Sequence, residues 1–209
     1  MKSIPTPPIP VRERHRQLTN AAILDAAFDL FQDAGLRATT IDQIATRAGI
    51  NRATFYLHFK DKNEVAAALA RRLVDIGQGQ YRALAELSNP DRAQVRAWVV
   101  THMAFAREQR MLSQTLVEAV SAEPGFAQEY LDYLGRIADL RLDPLLARVS
   151  PERRELLRSK LVLLQLMMTY SVHHLVSQEL RFPGGDPVDA LADMWWNEVF
   201  APNAPPPQD

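Results

Sequence analysis

Arg52, Thr54, Tyr56, His58 and Lys62 crowd hydroxyl, imidazole, guanidinium and ammonium donors into GINRATFYLHFKDK, Gly49 to Lys62, interleaved with Phe55, Leu57 and Phe59. Such donors suit recognition of oxygen acceptors, whereas the aromatic rings suit a core. Helical spacing separates the two. Phe55 and Phe59 are four apart and share a face with Ile50 just before them, so they can plug a groove left by Ile44, Ala45, Leu30 and Phe31. Arg52 and Tyr56, also four apart, occupy another face beside Ala53, Thr54 and Leu57, with His58 near the end.

Little else in the chain suggests bond-making chemistry. There is no cysteine, which removes disulfides and thiolate metal sites and fits a reducing, cytoplasmic compartment. HExxH, glycine-rich phosphate loops and CxxC are absent, and the carboxylates are scattered at helix-surface spacing. No catalytic residue, metal or cofactor is therefore expected. The sign of charge is uneven: residues 1–75 carry eleven basic side chains against eight acidic ones, a balance of +3, and the remainder carries −4. That excess points to where a polyanion would bind, although ordinary solvated helix faces produce the same pattern.

The 209 residues are enough to bury a core unaided. Apolar residues recur at three- and four-residue spacing after Leu18, which predicts an all-α protein. A first helix is read over 19–34, with Ala22, Ile23, Ala26, Ala27, Leu30 and Phe31 as its stripe and Gly35 as an αL stop. A second opens at Thr40 with a capping box to Gln43 and ends at Gly49. Asn51 caps a third, read to about Phe59, and Asp61 caps a fourth running to about Leu84. Two short helices joined by a glycine turn and packed on a preceding helix form a helix-turn-helix. Further helices are read near 91–109, 111–121, 124–148, 151–181 and 187–200.

The ends are proline-rich. MKSIPTPPIP has no apolar h-region, so a stiff arm is expected rather than a secretory signal, and APNAPPPQD is expected to be disordered. The longest apolar run, Leu161 to Met168, is interrupted by Gln165 and is too short to span a bilayer, so no membrane partner is expected.

TTIDQIATRAGINRATFYLHFKDKNEV, Thr39 to Val65, resembles the DNA-binding signature of TetR-type transcriptional repressors. The matching positions are Thr40, Ile44 and Ala45, Ala48 to Asn51, Tyr56 to Phe59, and Lys62; AAFDLFQDAGLRATT upstream is similar to the family's first helix and loop. The motif covers about residues 18 to 70. It implies a regulator that binds double-stranded DNA. Thr40, Tyr56, His58 and Lys62 would meet phosphates, while Arg52, Ala53 and Thr54, preceded by Asn51, would approach base edges. The residue types suit those roles: an arginine can make bidentate contacts to guanine, and a lysine adds a sequence-independent charge. Ala53 stands where the family often has glycine, Asn51 replaces the usual serine, and Asp42 sits where many members place a basic residue. Arg12, Arg14 and Arg16 could reach a minor groove as an arm or simply fray.

The expected organisation is a flexible arm (1–17), a helix-turn-helix DNA-binding domain (18–64), a helical effector-binding and dimerisation domain (65–200) and a disordered tail (201–209). Leu161 to Leu180 is apolar on more than one face, and Leu191, Trp195 and Val199 form a stripe near the end. With Leu175 they are the expected homodimer interface, since two helices with surplus apolar faces can pair with their twofold copies. The resemblance implies a small-molecule effector site among the middle helices. Trp98, His102, Phe105, Phe126, Tyr130, Met167, Tyr170 and His174 are its candidate lining, Met and aromatic side chains being suited to adaptable apolar pockets. The expected function is a repressor that binds a palindromic operator as a homodimer and is released by a largely apolar effector. A small helical enzyme, and a dimeric interaction module with a non-functional helix-turn-helix, are the competing readings.

Overall fold

The structure is a computed structural model that describes residues 10–201, and among these every regular element is helical. They divide into two compact units that meet in sequence between Leu69 and Ala70.

In the first unit α1 spans Val11–Ala38 and buries Ile23, Ala26, Ala27, Phe31 and Leu36. The arm expected over 1–17 is corrected from Val11 onward, where the chain is already helical; residues 1–9 lie outside the described residues, as do 202–209 of the expected tail. Gly35 has the expected positive φ of 79° but a ψ of 161°, so it kinks α1 instead of closing it with an αL cap. The Thr39 hydroxyl, buried behind the kink, donates to the Gly35 carbonyl at 2.9 Å.

α2 (Ile41–Arg47) opens with the expected capping box, Thr40 and Gln43 each accepting from the other's backbone N–H. Gly49, at φ 69°, makes the turn. Asn51 then caps α3 (Arg52–Tyr56), accepting from the Thr54 N–H at 2.8 Å. The helix is shorter than its periodicity predicts because Leu57 is its C-cap and the next two N–H groups, of His58 and Phe59, both close back on the Phe55 carbonyl. α4 (Lys62–Ala85) is capped by Asp61, whose Oδ1 accepts from Asn63 and Glu64.

Five residues are too few for a self-supporting helix. Packing holds α3: Phe55 is fully buried and Phe59 nearly so, in a core with Ile23, Phe31, Ile44 and Val65. Ile50 is only half-buried. The Arg47 guanidinium adds a surface link from α2 to Asp29 of α1 at 2.8 Å.

The second unit comprises the rest of α4, then α5 (Arg92–Glu108), α6 (Arg110–Ala122), α7 (Pro124–Leu140), α8 (Asp143–Leu146), α9 (Pro151–Val172) and α10 (Pro187–Trp195). The single helix expected over 124–148 is two. Pro144 lacks an N–H for the preceding turn and sits instead in the first turn of α8. The helix expected over 151–181 passes at His173–Ser177 into a π turn and then breaks, with Glu179 at φ 52°. A second π turn, Trp196–Phe200, follows α10. Gln165, which interrupts the longest apolar run, is fully buried, its amide donating to the carbonyls of Leu134 and Leu161.

The stripe expected to face a second protomer faces inward. Leu191, Trp195 and Val199 are buried in the chain's own core, where Trp195 packs edge-on against Trp98 with ring centroids 4.9 Å apart, and Leu175 packs partly against the same cluster. The assignment of Leu191, Trp195 and Val199 to a dimer interface is corrected for that reason, while Leu175 is only half-buried. On α9 and α10 the large apolar positions left exposed are others: Leu156, Leu163 and Tyr170, seven apart along α9, and Met194 on α10.

Phe55→Ala is expected to destabilise the chain by about 3–5 kcal/mol in denaturant unfolding, as for a large buried ring replaced by a cavity. Tyr56→Ala, an exposed neighbour on the same short helix, is expected to stay within about 0.5 kcal/mol.

Candidate nucleic-acid interface and internal cavity

With Phe55 and Phe59 turned inward, α3 presents Arg52, Ala53 and Tyr56 to solvent, with Thr54 and His58 half-buried beside them. Thr40 and Asn51 are exposed at the starts of α2 and α3, and each is engaged locally. The Thr40 hydroxyl donates to Gln43 Oε1 at 3.0 Å, and the Asn51 side-chain oxygen is committed to its cap.

Arg52 is held from two sides. Its Nη1 lies 3.1 Å from both oxygens of Asp42, and its Nη2 donates to the Tyr56 hydroxyl at 3.1 Å. The guanidinium carbon stands 5.6 Å from the Tyr56 ring centroid. The Tyr56 hydroxyl first, and then the Asp42 carboxylate, push the guanidinium pKa above its ordinary value. Because the phenol oxygen accepts, its own O–H proton stays free to donate outward.

Lys62 behaves differently. Its ammonium donates at 2.9 Å to the backbone carbonyls of Leu36, Arg37 and Thr39, just past the kink of α1. The phosphate contact expected of Lys62 is corrected here, because an ammonium has three N–H donors and all three are occupied. Its position satisfies carbonyls that the broken helix leaves without partners, and so holds the loop leading into α2.

In the second unit a cavity of about 70 Å³ lies between α4, α5, α6, α7 and α9, bounded by Leu73, Val74, Gly77, Tyr81, Phe105, Ala106, Leu116, Leu134 and Val172. His102, Ser113, Tyr130, Tyr133 and Thr169 are its polar lining, and none of the lining side chains is charged. The Tyr130 and Thr169 hydroxyls are hydrogen-bonded at 2.7 Å, and the Tyr133 hydroxyl donates to the Val74 carbonyl at 2.6 Å. His102 packs against Tyr81 and Trp98, has no partner for its buried Nδ1, and is driven down to a pKa of about 4 by burial, so the imidazole is neutral at pH 7. A second cleft of about 160 Å³ shares Val74, Tyr130 and Tyr133 with the first and adds Phe126 and the charged Arg71, Asp75, Glu129 and Arg136.

Of the expected lining, His102, Phe105 and Tyr130 meet at the uncharged cavity, and Phe126 joins Tyr130 at the charged cleft. The other four belong elsewhere. Trp98 is in the core with its indole N–H donated to the Gln80 carbonyl, and Met167 packs against that core. Tyr170 and His174 are exposed on the outer side of α9 and its π turn, the imidazole bonded to Gln178. The α4 wall was missed by sequence reasoning, yet it carried a signal. Glycine inside a helix costs roughly 1 kcal/mol relative to alanine, and at Gly77 an added Cβ would meet only Phe105, at 3.8 Å. At that one position, between Val74 and Tyr81, the α4 wall carries no side chain.

Residues 23–69 match the family model described as bacterial regulatory proteins of the tetR family. The chain is 26% identical over 194 residues to the HTH-type transcriptional regulator EthR of Mycobacterium tuberculosis, covering 87% of each protein. Over residues 23–69 the chain is thus similar to the TetR family. The chain is also 38% identical over 79 residues to the HTH-type transcriptional repressor KstR2 of Rhodococcus jostii, covering 38% of the chain and 39% of that protein. In fold it resembles a TetR-family repressor from Thermus thermophilus, FadR, solved in complex with lauroyl-CoA: TM-score 0.60 at 19% identity, over 91% of this chain and all of that one. A TetR-family transcription regulator from Rhodococcus sp. RHA1 matches with a TM-score of 0.57 at 16% identity, over 87% and 96% of the two chains. These relatives are named transcriptional regulators. No helix among the described residues is long and apolar enough to cross a membrane.

Lys62→Ala is expected to lower stability by about 2 kcal/mol in denaturant unfolding, the scale of losing charged hydrogen bonds. The salt dependence of DNA binding by the folded variant should match that of the native chain, whereas removal of a phosphate contact would reduce its slope by about one.

Proposed function

We propose that this chain is a cytoplasmic, ligand-responsive repressor of the TetR family that binds a palindromic operator as a homodimer and is released by a small, largely apolar effector. The observation that carries the DNA-reading part is the division of α3 into a buried anchor, Phe55, and an exposed face of Arg52, Ala53 and Tyr56. On this reading residues 18–64 are the DNA-binding domain and 65–200 the effector and dimerisation domain. Arg52 approaches a base edge, with Ala53 and Thr54 beside it. Tyr56 addresses phosphates from the same helix and His58 from just beyond its C-cap, with Thr40 and Asn51 beside them at the cap positions of α2 and α3. Lys62 supports them as a structural tie.

A single short helix reads few base pairs. Two copies related by a twofold axis read a palindrome whose half-site centres lie about 34–36 Å apart. The exposed row Leu156, Leu163 and Tyr170, with Met194, supports α9 and α10 as the dimer face, since seven-residue spacing keeps one stripe toward a partner helix. For the effector, the support is a cavity without charged lining, where the neutral His102 and the Tyr130–Thr169 pair can orient one polar group of an apolar molecule. Leu73, Val74, Gly77 and Tyr81 of α4 line that cavity, and the same helix begins at Lys62 in the first unit. An effector that favours one position of α4 over another shifts the population of DNA-competent dimers.

The test is selection of bound duplexes from a random pool at moderate salt, together with sedimentation of the free protein. The native chain is expected to enrich an inverted repeat and to sediment as a dimer, and Leu163→Glu to sediment as a monomer and enrich none. Enrichment of no sequence by the native chain, or of an inverted repeat by a Leu163→Glu monomer, contradicts the proposal.

A further inference from the structure

We infer that Asp42 is a positioning residue for base specificity: its carboxylate, with the Tyr56 hydroxyl, fixes the Arg52 guanidinium in one orientation so that Arg52 discriminates a single base pair in each half-site. This rests on the reading that Arg52 faces base edges.

A free arginine side chain on a helix surface explores many rotamers and meets phosphates as readily as bases, and ordering it at the moment of binding costs entropy. Here the ordering is done in advance by the protein. Asp42, in the first turn of α2, receives Nη1, and Tyr56, one turn further along α3, receives Nη2, with its ring centroid 5.6 Å from the guanidinium carbon. Those three contacts take at most three of the five N–H donors, which leaves Nε–H and a second N–H on Nη2 for a base edge. A planar fork held at two points can turn only a little, which is the condition for a bidentate contact with guanine O6 and N7.

The pair is poorly suited to a stabilising role. Both side chains are more than half exposed, where an ion pair contributes little to folding. A carboxylate on a face that meets phosphates also opposes binding to DNA in general, whatever the sequence. A residue that adds little stability and costs general affinity is accounted for by what it does to Arg52.

The experiment compares base preferences of the native chain, Asp42→Ala, Asp42→Asn, Arg52→Ala and the Asp42→Ala/Arg52→Ala double variant, by selection from a random pool and by competition between the selected duplex and its single-base-pair variants. Asp42→Ala is expected to lose at least fivefold of the discrimination at the same symmetric position that Arg52→Ala relaxes, with other positions unchanged. Asp42→Asn, which keeps an acceptor, is expected to fall between Asp42→Ala and the native chain, and the double variant to lose no more than Arg52→Ala alone. Uniform weakening or strengthening by Asp42→Ala, with every base preference intact, overturns the inference while leaving Arg52 as a reader. Loss at a position different from that of Arg52 overturns it in favour of direct base contact by Asp42. If Arg52→Ala itself alters no preference, the reading beneath the inference fails.

Discussion

Burial of one ring, Phe55, is the constraint on which the first unit depends. α3 is five residues long and cannot persist without tertiary support, so its position is set by what that ring and Phe59 fill between α1, α2 and the start of α4. Once the ring is seated, helical geometry leaves no choice about the rest. The residues two and three positions before it and the one after it turn outward, and two of these, Arg52 and Tyr56, have chemistry that suits a polyanion. The caps and Lys62 act on the same constraint from outside: Thr40, Asn51 and Asp61 set where helices begin, and the ammonium closes carbonyls left open by the kink at Gly35.

The second unit is arranged around an incomplete filling. Trp98, Trp195 and Tyr81 pack the end nearest α10 closely, whereas next to them Gly77 leaves space bounded by His102, Tyr130 and Thr169. A buried imidazole with an unpaired nitrogen costs stability, and its pKa is depressed to about 4 by that burial. A neutral imidazole can donate from one nitrogen and accept at the other, so the same group that weakens the empty cavity can serve a bound molecule as either partner.

Much of the first unit was legible in the sequence because its signals are local. Thr40 with Gln43, Asn51, Gly49 and Asp61 each act within a few residues, and the spacing of Phe55 and Phe59 told the inner face from the outer. What was missed there needed three dimensions: Lys62 looks like a phosphate ligand until the carbonyls of residues more than twenty positions earlier are brought to it. In the second unit the helices were legible as elements and their faces were not. Leu191, Trp195 and Val199 share a stripe whether it turns to a partner or to the chain's own core, and periodicity cannot tell those apart. His102 and Tyr130 were found by residue type alone, while Tyr170 and His174, equally suitable types, rotate outward on α9 and its π turn.

The account's central claim is that DNA is read by the exposed face of α3 and the caps beside it. Amide hydrogen exchange of the full chain, with and without its selected duplex, tests that claim most directly. Slower exchange concentrated in residues 40–58 is the predicted result. Slowing confined to residues beyond 70, with exchange over 40–58 unaltered while the duplex is bound, would contradict it.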